Sequence, residues 1–163
     1  MTEGAQVEER GVEAALRELA VRYARGVDRR DVDTFLGVFE PDAVVVVRRP
    51  SPTEPPSEIR GHDRLAGIPK LIARYARTFH FLGQSSYRDL GDEAEGEVHC
   101  IAHHLDLSGE AATDLVMFIR YQDRYARRPD GTWRISEREV LVDWTETRPA
   151  EAPAGDGEAG AAR

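Results

Sequence analysis

Apolar residues along the chain change their spacing once, from helical steps to strand alternation, and that change predicts the architecture. From Val12 to about Val27, Leu16, Leu19, Ala20, Tyr23, Ala24 and Val27 recur at three- and four-residue steps, which predicts an amphipathic helix. Asp31 is placed to cap a second, short helix running to about Phe39, since its side chain can accept from free backbone N–H groups. Glu40-Pro41-Asp42 is expected to stop that helix, because proline disfavours a helical residue before it. Ala43–Val47 is apolar at every position and reads as a buried strand. Residues 49–57 hold four prolines and are expected to form a loop, a candidate flap over a pocket mouth.

Gly61 to about Arg77 returns to helical spacing through Leu65, Ile68, Leu71, Ile72 and Tyr75. Strands are expected afterwards: Phe79–Leu90, a turn at Gly91-Asp92-Glu93, Ala94–Leu107, then Thr113–Arg127 and Thr132–Trp144 joined across Pro129-Asp130-Gly131. Helices first and a meander of long strands after predict an α+β fold, with the sheet wrapped around a helix. The reading gives a flexible N-terminus over 1–11, one folded domain over 12–148 and a disordered Ala/Gly/Pro/acidic tail over 149–163.

Composition narrows the function. The chain has 163 residues, suited to one domain with a real core. Its 22 basic and 30 acidic residues give a net charge of −8, which argues against nucleic acid as a partner. No apolar run approaches the roughly 20 residues of a membrane span, and no secretory signal is visible. Cys100 is the only cysteine, so no internal disulfide can form and a cytoplasmic location is expected.

Phosphate loops, GxSxG turns and CxxC pairs are absent from the sequence, which leaves acid–base residues to carry any chemistry. His80 sits between Phe79 and Phe81. A carboxylate beside it would fix its tautomer and make a general base, while a core histidine bonded to backbone is the plainer alternative. Asp28 lies near the end of the first helix, where the dipole disfavours a carboxylate. It is either there for a local reason or part of a solvent-exposed helix exit. Tyr23, five residues earlier, is about 140° away round an ideal helix, so spacing does not pair it with Asp28. In Val98–Leu105, alternation puts Val98, Cys100, Ala102 and His104 on one face and His99, Ile101 and His103 on the other. The first set suits a pocket wall, which makes His104 the pocket candidate. Imidazoles on one strand without a carboxylate at diagnostic spacing do not make a metal site, and none is expected.

Several segments resemble one family. Leu19 to Asp31 with Phe39-Glu40-Pro41-Asp42-Ala43-Val44 resembles the opening of SnoaL-like (NTF2-like) proteins. Phe79-His80-Phe81-Leu82-Gly83, Ala102-His103-His104-Leu105, Arg120–Asp123, Asp130–Ile135, Arg138 and Asp143-Trp144 resemble their later segments, in the same order over about residues 12–146. The resemblance implies a cone-shaped α+β barrel, with N-terminal helices packed in a curved, mainly antiparallel sheet. It is closest to the branch containing scytalone dehydratase, bile-acid 7α-dehydratase and hexachlorocyclohexane dehydrochlorinase, cofactor-free lyases that use an Asp–His pair. On that resemblance Asp28 is the orienting carboxylate, His80 the base and Tyr23 a donor to substrate, with His104 and Arg138 on the pocket wall. It implies a dehydratase-type lyase acting on a small polycyclic or polyketide-like substrate without a cofactor, and assembly as a dimer or trimer. Isomerase or cyclase chemistry, or a non-catalytic binding or assembly role, would use the same residues. The second tyrosine of scytalone dehydratase has no clear counterpart here, with Phe39 and Val47 nearest to its place.

Overall fold

The computed structural model describes residues 3–51 and 53–152, with residues 3–10 as backbone only. The order is α1 (Glu3–Arg29), α2 (Val32–Leu36), β1 (Phe39–Arg48), β2 (Ser57–Arg60), α3 (His62–Leu65), α4 (Gly67–Ile72), β3 (Arg77–Asp89), β4 (Glu93–Asp106), β5 (Thr113–Arg127) and β6 (Trp133–Pro149). Six strands form one sheet in the order β2-β1-β6-β5-β4-β3, antiparallel except for β1 beside β6. The sheet curls round α1 and stays open, giving the α+β cone, with β2 and β3 as its edges.

The core is the stripe of α1 set against the inward faces of β4, β5 and β6. Leu16, Leu19, Ala20, Tyr23 and Val27 are buried with Val98, Cys100, Ala102, Ile119, Tyr121 and Ile135. Each large side chain so buried contributes about 1.5–3 kcal/mol. Gly26 lets α2 approach closely: a Cβ there would stand 2.7 Å from the Phe35 backbone nitrogen.

Several expectations about the elements change. Helical backbone starts at Glu3, inside the segment read as a polar N-terminus, and strand β6 continues to Pro149. The rest of the expected tail, from residue 153, lies outside the described residues. Pro41 does not stop a helix: α2 ends at Leu36 and Pro41 lies in β1, where the pairing with β6 jumps from Phe39↔Ile135 to Val44↔Glu137. A proline fits there because a bulge asks for no ladder N–H. The single helix expected over 61–77 is two short ones meeting at Ala66, because Pro69 has no N–H to bond one turn back. Leu71, counted in the apolar stripe, is exposed as a result. The proline-rich segment is shorter at its end, since Ser57 already pairs with Val47.

Two bulges decide which way side chains point. Register between β3 and β4 runs from Leu82↔Cys100 to Ser85↔Val98, so one extra residue is inserted in β3. Thr78, His80 and Leu82 turn inward before it, and Ser85 and Tyr87 after it. On β6 the extra residue is Asp143, which leaves Val140 and Val142 inward and Trp144 outward, stacked on Phe118 at 4.1 Å.

Candidate active site

Asp28 occupies the last turn of α1, and β3 crosses that helix end. The alternation of β3 aims Thr78 and His80 at its carboxylate. His80 Nδ1 lies 2.6 Å from Asp28 Oδ1, the His80 backbone N–H donates to Oδ2 at 3.0 Å, and the Thr78 hydroxyl donates to Oδ1 at 2.9 Å. Half-burial alone would raise the Asp28 carboxyl, but the His80 ring bond and charge, the His80 N–H and Thr78 outweigh it and hold it below its ordinary value. An ionised Asp28 can only accept, so His80 Nδ1 donates to it, and in the neutral imidazole Nε2 is the nitrogen that carries the lone pair. The His80 side chain is only 6% exposed.

Around that ring stand two more of the candidates. Tyr23 meets His80 edge-on at 6.5 Å between centroids, so two residues of α1 about 140° apart round an ideal helix both reach the same imidazole. Burial holds the Tyr23 hydroxyl above its ordinary value, against the pull of Arg138, which keeps it protonated as a donor. His104 is buried with Val98, Cys100 and Ala102, and its ring lies 6.0 Å from that of His80. Its Nδ1 bonds the Leu115 carbonyl at 3.2 Å, and burial lowers its pKa, so it stays neutral with Nε2 unprotonated. Tyr75 covers His104 from α4's end, with rings 4.8 Å apart.

Arg138 lies deeper. It forms a bidentate pair with Asp123 at 2.7 and 2.6 Å, and its guanidinium carbon lies 4.2 and 4.4 Å from the ring centroids of Tyr23 and Tyr121, which meet each other edge-on. Burial alone would lower its pKa; Asp123 more than reverses that. One nitrogen, Nη1, is buried with no partner. Asp123 also accepts from the Tyr125 hydroxyl at 2.9 Å.

Sequence reading did not single out Thr78, Asp123, Tyr75 or Arg30. The first was accessible, since it is two residues before His80 and shares its face. His99 and His103 point outward and bond Glu97 and Asp114 respectively. Among the described residues no group of three or more His, Cys, Asp or Glu is placed to hold a metal, and no helix is long and apolar enough to cross a membrane.

None of five depressions of about 250–450 Å³ on the described residues is lined by Tyr23, His80, His104 or Arg138. The one that reaches the dyad, about 390 Å³, lies on the solvent side of Asp28, between Arg29, Arg30, Ala76, Arg77 and Thr78.

Among solved structures, a type 2 hexachlorocyclohexane dehydrochlorinase is similar with a TM-score of 0.78 and 18% identity, over 92% of this chain and 99% of that one. A type 3 dehydrochlorinase from Novosphingobium barchaimii gives 0.74 and 17%, over 92% and 95%. A protein from Novosphingobium aromaticivorans, described only provisionally as a scytalone dehydratase, gives 0.69 and 21%, over 98% and 100%. At such identities these likenesses speak for the fold. No curated protein matches the sequence significantly. The SnoaL-like domain model matches residues 8–139, most of the chain, and the protein therefore belongs to the SnoaL-like family.

Proposed function

We propose that this protein is a cofactor-independent lyase of the dehydratase type, acting on a small polycyclic or polyketide-like molecule. The observation that carries the reading is the 2.6 Å contact between His80 Nδ1 and Asp28 Oδ1, with the His80 backbone N–H on the other oxygen. That geometry suits a general base: Asp28 fixes the ring and its tautomer, and Nε2 is free to take a proton. In the proposed reaction Nε2 removes an acidic C–H proton, and the electron pair of that bond forms the new double bond. The leaving group departs with its own pair. When it is hydroxide, the protonated His80 returns the proton and water is released. Tyr23 would donate to a substrate oxygen as charge develops there, with His104 and Arg138 lining the site. The dehydrochlorinases and the provisional dehydratase among its structural neighbours support a lyase over other reaction classes.

Isomerase and cyclase chemistry begin with the same proton abstraction, so product analysis separates them. A panel of small cyclic β-hydroxy ketones and halogenated rings, run in D₂O, would report loss of water or HCl, a shifted double bond or a new ring. Lyase activity that falls by at least about a hundredfold in a folded His80→Ala protein is the expected result. Near-unchanged turnover in that variant would sink the mechanism.

A second reading, a binding or assembly domain with a purely structural Asp28–His80 pair, is favoured by the aromatic packing beside the dyad. Tyr23, Phe35, Phe39 and Tyr121 pack there with ring centroids 5.3–6.0 Å apart. Under the enzyme reading some of these rings must move to admit substrate; absence of any turnover across the panel would favour the second. Both readings accommodate assembly with further copies of this chain. Exposed Phe79, Phe81 and Trp144 on the outer face of the sheet support it, and sedimentation would test it.

A further inference from the structure

The turn that leads out of α1 contains a residue its backbone disfavours. Arg30 has φ 58, in the left-handed region, and is the only non-glycine residue with positive φ among the described residues. Its N–H donates to the Val27 carbonyl at 3.1 Å, and the Asp31 N–H to the Gly26 carbonyl at 2.9 Å. This pair of bonds is the Schellman ending of a helix, where the left-handed position is usually glycine. An arginine there carries a conformational cost that its side chain has to offset.

What the side chain does is specific. Arg30 Nη2 donates to the Tyr75 carbonyl at 2.7 Å and to the Ala76 carbonyl at 3.2 Å. These are the last two residues before β3. Two residues on, Thr78 donates to Asp28, and two further on His80 grips it. Asp28 itself lies two residues before Arg30. The guanidinium therefore closes a small ring of chain whose opposite side is the Asp28–His80 contact. Tyr75, held by the same bond, is the residue whose ring covers His104. The depression of about 390 Å³ along this seam brings solvent up to Asp28 and Thr78. If strand and helix end part there, water competes for Asp28 Oδ1.

We propose that Arg30 is a positioning residue for the dyad, a clamp that fixes the start of β3 against the end of α1. The inference rests on His80 being the working base, and it concerns how the base is held rather than what it does. Arg30 touches neither His80 nor the interior. Substituting Arg30 alters none of the side chains that face the His80 ring, Asp28, Tyr23 and His104.

Arg30→Gly and Arg30→Asn test it, because both residues accept the left-handed backbone and neither can reach the two carbonyls. The readout is the His80 Nδ1–H resonance in the ¹⁵N-labelled full chain, together with the unfolding midpoint; no substrate is required. Both variants should keep their midpoint within about 4 °C of wild type while the Nδ1 proton exchanges with solvent at least about tenfold faster. An exchange rate equal to wild type in both variants overturns the clamp. So does a large fall in midpoint with the His80 signal intact, which would make Arg30 a purely structural tie. Asp28→Asn in the same series separates the two ideas. If it abolishes the hydrogen-bonded signal while the Arg30 variants do nothing, the dyad stands and the clamp falls. If wild type lacks the signal, the dyad geometry and the clamp fail together.

Discussion

Arg138 and Asp123 face each other across β6 and β5 with both side chains entirely out of solvent, joined by two hydrogen bonds of 2.7 and 2.6 Å. Removing one partner leaves the other charge buried and unpaired. Asp123→Ala or Arg138→Met should each cost about 3–5 kcal/mol in denaturant unfolding. The double variant Asp123→Leu/Arg138→Met should cost less than either single one, because no buried charge remains. A double variant as damaged as the sum of the singles would mean that the two side chains are not coupled, against the paired contact seen here.

Asp28 contributes a pH-dependent part of stability. Its folded pKa lies below the unfolded value of about 3.9, chiefly through the His80 bond and charge, which prevail over burial. A depressed carboxylate stabilises the fold above its unfolded pKa, and the contribution is lost as pH falls through the folded one. The stability difference between wild type and Asp28→Asn should be flat from neutral pH down to about 4 and shrink below it. Urea titrations at a series of acid pH values check this, and a constant difference would count against it.

His104 carries the opposite charge logic. Burial lowers its pKa, so the unfolded chain binds its proton more readily than the fold does. Stability should then rise with pH as the histidine deprotonates, and fall on acidification below the unfolded value of about 6.5. His104→Asn should flatten that slope below about pH 6.5, read as the unfolding midpoint against pH.

Thr78 shares Asp28 Oδ1 with the His80 ring. Thr78→Val removes one neutral donor, worth about 1 kcal/mol or about fivefold in kcat/KM if the dyad is catalytic. Thr78→Ser, which keeps the hydroxyl, should retain most of the activity. Equal losses in the two variants would point to packing instead.

Gly26→Ala should destabilise, against the usual gain from alanine in a helix. The new methyl would meet the Phe35 backbone nitrogen at 2.7 Å and Cα at 2.8 Å, so α2 must move. A loss of about 1–3 kcal/mol in thermal or denaturant unfolding is expected; a gain would mean that α2 is more loosely held than its contacts imply.

Much of this was legible where local chemistry decides the outcome. Asp31 caps α2 as its side chain requires, accepting from Thr34 N–H at 3.0 Å. Strand alternation alone separated His104, buried at 3%, from the outward His99 and His103. Proline is ambiguous in a sequence: the missing N–H that stops a helix also suits a bulge, as at Pro41, and Pro69 breaks a helix that apolar spacing makes continuous. The partner of Arg138 was hidden for a different reason. Near the turn the hairpin pairs Arg127 with Trp133, and that regular register carried outward would set Arg138 against Gln122. A bulge between Arg124 and Tyr125 shifts it by one and brings Asp123 opposite. Arg30 left no periodic signal, because its effect depends on one backbone angle and two carbonyls 45 and 46 residues away.

The extra residue in β3 has a consequence beyond the side chains it re-aims. Strand β3 is the long free edge of the sheet, and the N–H and C=O groups on its free side, apart from the His80 N–H that Asp28 engages, are the natural template for another strand. By breaking the regular spacing between Leu82 and Ser85, the bulge denies an incoming chain a continuous ladder. The opposite edge, β2, spans only Ser57–Arg60, with charged Glu58 and Arg60 exposed on it. Neither margin invites extension, so strand addition, the route that leads to fibres, is disfavoured at both edges of the sheet.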